Sequence, residues 1–270
     1  MVAVRPQSFG VSDSVIVAIA NQKGGVGKST TAISLAATLA QSGLSVLVVD
    51  LDPQGNATSG LGIDRAALSE TMYDVLVVGT KADDAMVESS TPGLWVLPAT
   101  IDLAGAEVEL VSMLSRELRL KNSLNQSSRH FDAILIDSPP SLGLLTINGM
   151  AAADEILVPI QAEYYALEGL TQLMANIERV RAHLNPDLEV EGVVLTMHDN
   201  RTRLAKDVGD QVREYFGDRT YRTIVPRSVR LSEAPSYGEP IETYDPMSQG
   251  AIAYRELGRE WRRRHGYDQR

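Results

Sequence analysis

Cysteine is absent from the 270 residues. Its absence excludes disulfides, thiolate-bound metals and cysteine-held iron–sulfur clusters. A reducing cytoplasm is the compartment that such a chain expects. Histidine is scarce, with four residues, and no two stand at the short spacing of a metal pair. His198 is expected to be a surface histidine. No apolar run reaches the length of about 18 residues that a membrane span needs. Met1–Ser14 lack the apolar region of a signal peptide, so residues 1–13 are expected to be a flexible tail. Internal repeats and low-complexity stretches are missing too.

Positive charge is also in deficit. The net charge is −10, which at first weighs against nucleic acid as a partner. The deficit is uneven, however. Residues 201–270 carry 14 Lys/Arg against 11 Asp/Glu, so the final quarter differs electrostatically from the rest.

Short unbroken apolar runs are abundant. They lie at Val15–Ala20, Val46–Val49, Leu94–Leu97, Ala133–Ile136, Glu155–Ile160, Val190–Thr196 and Thr220–Val225. Such runs suit strands buried on both faces. Helical spacing separates them at Thr31–Gln41, Ala104–Leu120, Leu142–Ala152, Glu168–Leu184 and Leu204–Tyr215. Thr71–Val78 and Lys81–Ser90 are expected to be surface helices or turns. The alternation predicts an α/β fold: a mostly parallel, twisted sheet flanked by helices. Ligands of such sheets bind at the C-terminal strand ends. One domain is expected over 14–265, with a short polar tail at 266–270.

The organising stretch is Ala20-Asn21-Gln22-Lys23-Gly24-Gly25-Val26-Gly27-Lys28-Ser29-Thr30. It follows an apolar strand and opens a helix, the context of a phosphate-binding loop. Glycines let successive N–H groups face one concavity, and the helix adds its positive end. Lys28 is placed to reach the outer phosphates and the Ser29 hydroxyl to hold Mg²⁺. Gln22 stands where the usual pattern has its first glycine, and Lys23 is an additional lysine.

Two further strand ends carry carboxylates. Val46–Val49 leads into Asp50-Leu51-Asp52-Pro53, with both carboxylates on one side of an extended chain. Ala133–Ile136 leads into Asp137-Ser138-Pro139-Pro140.

The glycine stretch resembles the deviant Walker A motif of the ParA/MinD superfamily of ATPases. The likeness extends over roughly residues 14–265, with four motifs in order. It implies a P-loop NTPase of the deviant Walker A type, with ATP and Mg²⁺ as cofactors. Lys23, Gly24, Gly25, Val26, Gly27, Lys28, Ser29 and Thr30 would bind nucleotide, Lys28 in cis and Lys23 in trans across a dimer. Asp52 would serve the attacking water, Asp50 the magnesium shell or its second sphere, and Asp137 the magnesium. Lys23, Lys28 and Asp52 form the implied catalytic set, and Ser29, Asp50 and Asp137 the metal set.

Thr223–Ser236 resembles a ParA/Soj-type signature, in which Pro226 and Arg227 border the adenine. Ser228 stands where relatives often have asparagine. Arg201 and Arg230 match arginines that bind DNA non-specifically in relatives, and Arg203, Lys206, Arg219 and Arg222 could extend that patch. Gln161, Glu163, Tyr164 and Tyr165 fall in a region that the superfamily uses for dimer contacts.

The implied function is slow ATP hydrolysis driving DNA segregation. The partners are a second copy on ATP binding, non-specific double-stranded DNA and a ParB-like activator, in a cytoplasmic, nucleoid-associated setting. A MinD-like or cargo-positioning ATPase is the alternative. It would need a membrane-seeking terminal helix or a protein scaffold. The Arg255–Arg264 stretch instead predicts a helix that docks through Leu257 and Trp261, so no stable membrane association is expected.

Overall fold

The computed structural model describes residues 14–163, 166–199 and 201–269. The tail at 1–13, Tyr164 and Tyr165 lie outside the described residues.

Eight strands form one sheet: β1 (Val15–Ile19), β2 (Val46–Asp50), β3 (Val87–Glu88), β4 (Leu94–Leu97), β5 (Ala133–Asp137), β6 (Glu155–Gln161), β7 (Glu189–His198) and β8 (Thr220–Pro226). Their order is β3-β4-β2-β5-β1-β6-β7-β8. All pairs are parallel except β3 with β4. The longer helices are α1 (Lys28–Gln41), α2 (Leu144–Ala152), α3 (Ala166–His183), α4 (Arg203–Phe216) and α5 (Gln249–Arg264).

The apolar runs are unbroken because each strand feeds two cores. In β2, Val46 and Val48 pack with α1 and α5 residues such as Leu35, Leu39 and Trp261. Leu47 and Val49 point to the other face, with Ile134, Ile136, Val158 and Met72. β1 lies between β5 and β6. The chain leaves it one way to reach β2 and crosses to its other side to form β6, so a crevice opens at its C-terminal end.

Several expected boundaries change. The stretch 104–120 is not one helix. It forms helices at Leu103–Glu109 and Arg119–Asn125, joined by a 3-10 turn at Leu110–Ser112 and by Ser115 at φ 51°. Asn148 of α2 explains the break: it accepts from the Leu120 N–H at 3.1 Å and donates to the Arg116 carbonyl at 2.7 Å. Thr71–Val78 is a helical stretch with two sides, Met72 and Leu76 being fully buried and Val78 exposed. Lys81–Ser90 contains the short antiparallel strand β3 as well as a turn of helix at Ala82–Ala85. His198 is half-buried, and its Nδ1 is enclosed without a hydrogen-bond partner. Nor is 266–269 a free tail, since Tyr267 is buried and donates to the Asp132 carbonyl at 2.9 Å.

Glu242 is buried beside α1, where one oxygen accepts from Thr38 Oγ1 at 3.1 Å and the other has no partner. Burial pushes its pKa from 4.5 up to about 8. Between those values the folded chain keeps a proton that the unfolded chain has released. Stability therefore falls as pH rises from about 4.5 to about 8, at up to about 1.4 kcal/mol per pH unit. Glu242→Gln is expected to flatten that segment and to raise the melting temperature more at pH 8 than at pH 5. Melting curves that shift equally at both pH values would contradict the assignment.

Candidate nucleotide site at the C-terminal strand ends

The loop after β1 curls as its glycines allow. Gly25 and Gly27 have φ of 72° and 89°, a region that side chains disfavour. Gly27 caps α1, so the first N–H groups of that helix are free for an anion. Two polar residues hold the loop in place. Asn21 donates to the Pro159 carbonyl at 2.8 Å and accepts from the Lys23 N–H at 3.0 Å. Thr196 Oγ1 donates to the Val26 carbonyl at 2.8 Å.

The two lysines part company. Lys28 is buried, and its Nζ donates inward to the Lys23 carbonyl at 3.2 Å. Burial lowers its pKa, while Asp137 and Asp52 pull it back up. Lys23 turns outward and its Nζ meets Glu163 at 2.5 Å.

Sheet register assembles the carboxylates. Asp50 on β2 lies level with Asp137 on β5, and Asp137 lies level with Ile19, where the phosphate loop begins. Adjacent strands bring such residues to within about 5 Å backbone to backbone. Asp50 is fully buried and held by three donors: the Thr58 N–H at 2.8 Å, Thr58 Oγ1 at 2.7 Å and the Asp52 N–H at 3.1 Å. Thr58 Oγ1 in turn accepts from the Ala99 N–H at 2.9 Å. Burial raises Asp50 to about 6 despite these bonds.

Asp137 is the opposite case. It is fully buried, and neither oxygen has a hydrogen-bond partner. The Ser29 hydroxyl faces it without completing a hydrogen bond. Burial first, and the charge of Asp50 second, push its pKa well up. An orphaned carboxylate beside a hydroxyl and a phosphate loop is a donor set that suits Mg²⁺, which prefers oxygen ligands and keeps some of its water. Asp50, its oxygens already engaged, fits the second sphere better than direct ligation.

A cleft of about 660 Å³ opens at the phosphate loop and Asp52. Gly24, Lys28, Ser29 and Asp52 line it, with Pro139 and Pro140 opposite. It adjoins a smaller cavity of about 290 Å³ whose walls include Thr196, Met197, Pro226, Arg227 and Ser228. Gly27 and Thr30 border both. A phosphate chain and a planar base fit this pair of spaces.

Known proteins bear on the family. A family model described as an AAA domain matches residues 14–190. The sporulation initiation inhibitor protein Soj of Bacillus subtilis (strain 168) is 55% identical over 245 residues, covering 91% of this chain and 97% of that protein. The chromosome partitioning protein ParA of Caulobacter vibrioides (strain NA1000 / CB15N) is 52% identical over 247 residues, covering 91% and 92%.

The chain belongs to the ParA/Soj family of partition ATPases.

Solved structures agree. Cobyrinic acid a,c-diamide synthase from Mycobacterium smegmatis, with bound ADP and magnesium, matches at TM-score 0.82 and 38% identity, covering 95% of this chain and 97% of that one. The septum site-determining protein MinD of Pyrococcus horikoshii OT3, complexed with Mg-ADP, matches at 0.75 and 25%, covering 92% and 96%. These related structures thus hold magnesium with ADP or an ATP analogue.

The structure adds residues to this ParA-family site that sequence reading passed over. Thr58 holds Asp50, and Thr196 holds the loop. Met197 adopts φ 49° at the junction of the two cavities. A left-handed methionine there is a strained residue at a functional position. None of the three had a motif to announce it.

Arg227 lines the smaller cavity, whereas Arg201, Arg203 and Arg230 line neither space. Arg201 forms a two-pronged pair with Asp199, at 2.9 and 2.7 Å. Arg230 pairs with Glu233 at 3.0 Å and Asp245 at 3.4 Å. Arg203 meets Asp207 at 3.6 Å, while Lys206, Arg219 and Arg222 have no ion pair among the described residues.

Proposed function

We propose that this ParA-family ATPase is an ATP-switched carrier in DNA segregation. Two copies close face to face on ATP, and each lends Lys23 to the other's nucleotide. The closed pair holds duplex DNA through Arg201 and Arg230. Hydrolysis, slow alone and hastened by a ParB-like partner, releases it. The protein then acts in the cytoplasm, on the nucleoid.

One observation carries the reading: the two loop lysines face apart. Lys28 is buried among its own loop and carboxylates, whereas the Lys23 side chain is 38% exposed and meets only a rim carboxylate. A lysine at the rim is free to serve a neighbour. Surface ion pairs of this kind are worth about 0–1 kcal/mol, so a phosphate can displace Glu163. The same holds at Arg201 and Arg230, where DNA phosphates would replace Asp199, Glu233 and Asp245 without reading bases.

Within one site, Lys28 and the loop N–H groups bind the phosphates. Ser29 and Asp137 would hold Mg²⁺, with Asp50 fixing the strand end behind them. The chemistry that Mg²⁺ supplies when bound is neutralisation of charge on the phosphoryl oxygens. Asp52 orients the attacking water. Positioning and charge are the main demands of phosphoryl transfer.

A membrane-acting relative is disfavoured by α5. Its apolar residues Leu257 and Trp261 are fully buried, and among the described residues no helix is long and apolar enough to cross a membrane.

The test combines sizing chromatography with binding to random-sequence duplex across a salt series. The parent is expected to dimerise and to bind DNA with ATP and not with ADP, with affinity falling steeply as salt rises. Lys23→Ala is expected to bind ATP yet form neither the dimer nor the DNA complex. Unchanged dimerisation of that variant would remove the in-trans role. Absence of DNA binding in every nucleotide state would refute the carrier reading.

A further inference from the structure

The helix α2 starts at the end of the loop that begins with Asp137. Its capping residue is Gly143, which has no side chain to offer, so the first N–H groups need a partner from elsewhere. Glu107 supplies it from the helix Leu103–Glu109. Its Oε2 accepts from the Leu144 N–H at 2.9 Å, and its Oε1 from the Leu145 N–H at 3.2 Å. Two oxygens thus serve two amides, and the negative charge sits at the positive end of the helix. A Cβ at position 143 would lie 2.2 Å from Glu107 Oε1, so a side chain there would push this carboxylate aside.

The contact reaches the nucleotide cleft from both sides. Thr146, in the first turn of α2, donates to the Ser141 carbonyl at 2.6 Å. Ser141, Pro140 and Pro139 form one wall of the cleft. Glu107 itself belongs to the helix Leu103–Glu109, which presents Ala104 to the same cleft. Asn148, one turn further along α2, ties down Arg116 and Leu120. The segment 103–120 is therefore clamped to α2 at two points, and Glu107 is the clamp nearer the loop 138–143.

We propose that Glu107 is a positioning residue for ATP hydrolysis. It sets the Pro139–Ser141 wall, and through it the loop that carries Asp137, relative to the phosphates. It touches neither nucleotide nor metal. It acts by holding the helix end on which the loop is mounted, so its loss lets the wall drift while the phosphate loop stays whole.

The experiment is steady-state ATP hydrolysis with saturating Mg²⁺ for the parent, Glu107→Gln and Glu107→Ala. Rates are divided by the concentration of nucleotide-binding sites, titrated with a fluorescent ATP analogue. A displacement of order 1 Å near the chemistry can cost about 100-fold. Glu107→Ala is expected to lose at least about tenfold in kcat while KM for ATP moves less than twofold. Glu107→Gln retains an acceptor for one of the two N–H groups, and its kcat is expected to lie between the two. It is nearly isosteric, so it also serves should the alanine variant fail to fold. The proposal is overturned if kcat per titrated site matches the parent in Glu107→Gln and in any folded Glu107→Ala. It is equally overturned if the loss appears in KM alone, which would place Glu107 in nucleotide binding.

Discussion

Asp52→Ala is expected to cut ATP turnover by about 10²–10⁴-fold, the range for removing a group that handles the reacting proton or water. ATP affinity should change only a few-fold. Asp52 is nearly buried, lines the cleft and keeps its Oδ1 on the Gln54 N–H at 2.9 Å. Oδ2 has no hydrogen-bond partner among the described residues. A carboxylate anchored by one oxygen and open through the other is suited to orienting a water. Asp50, two residues earlier, is not: three donors already occupy it. Asp50→Ala should therefore disturb Thr58 and the strand end, and show as lowered stability together with lost activity. Asp52→Ala should keep the parent's melting temperature within a few degrees. Single-turnover hydrolysis and nucleotide titration separate the two. Parent-like turnover in Asp52→Ala would remove Asp52 from the chemistry. Its ATP-bound form should also remain on DNA longer than the parent, if the carrier reading holds.

The second large effect concerns the fold. Trp261 is fully buried in α5. It stacks on His265 at 4.0 Å and on Tyr267 at 5.7 Å between ring centroids. Trp261→Ala is expected to cost about 3–5 kcal/mol in denaturant unfolding, the range for deleting a large buried aromatic. The indole Nε1 has no hydrogen-bond partner in its enclosed position. Trp261→Phe removes that orphaned donor while keeping a stacking ring, so its cost should be much smaller, below about 1.5 kcal/mol. Equal losses in the two variants would show that the ring retained by phenylalanine contributes nothing and that the indole as a whole is required. A loss below about 1 kcal/mol in Trp261→Ala would mean that α5 is not the anchor drawn here. The outcome also bears on function: a helix anchored this way keeps Leu257 and Trp261 from a lipid surface.

By itself the sequence determined the nucleotide loop, the parallel α/β class and the strand ends that carry Asp50, Asp52 and Asp137. Each of these is a local property. Glycines at 25 and 27 permit left-handed backbone whatever surrounds them, and a strand buried on both faces must read as an unbroken apolar run. The docking of Leu257 and Trp261 was legible for the same reason, since their spacing puts them on one helix face.

Only the tertiary structure decided how these pieces meet. Asp50 and Asp137 are 87 positions apart in sequence, and it is strand register that sets them level. Thr58 becomes the keeper of Asp50, and Asn148 breaks the expected helix over 104–120, because a polar side chain finds its partner across space. Residue type names a donor or an acceptor, but not its mate. The outward pairing of Lys23 with Glu163 and the clamp of Glu107 on α2 are of the same kind. Both join segments dozens of residues apart, and no spacing rule along a single chain reaches that far.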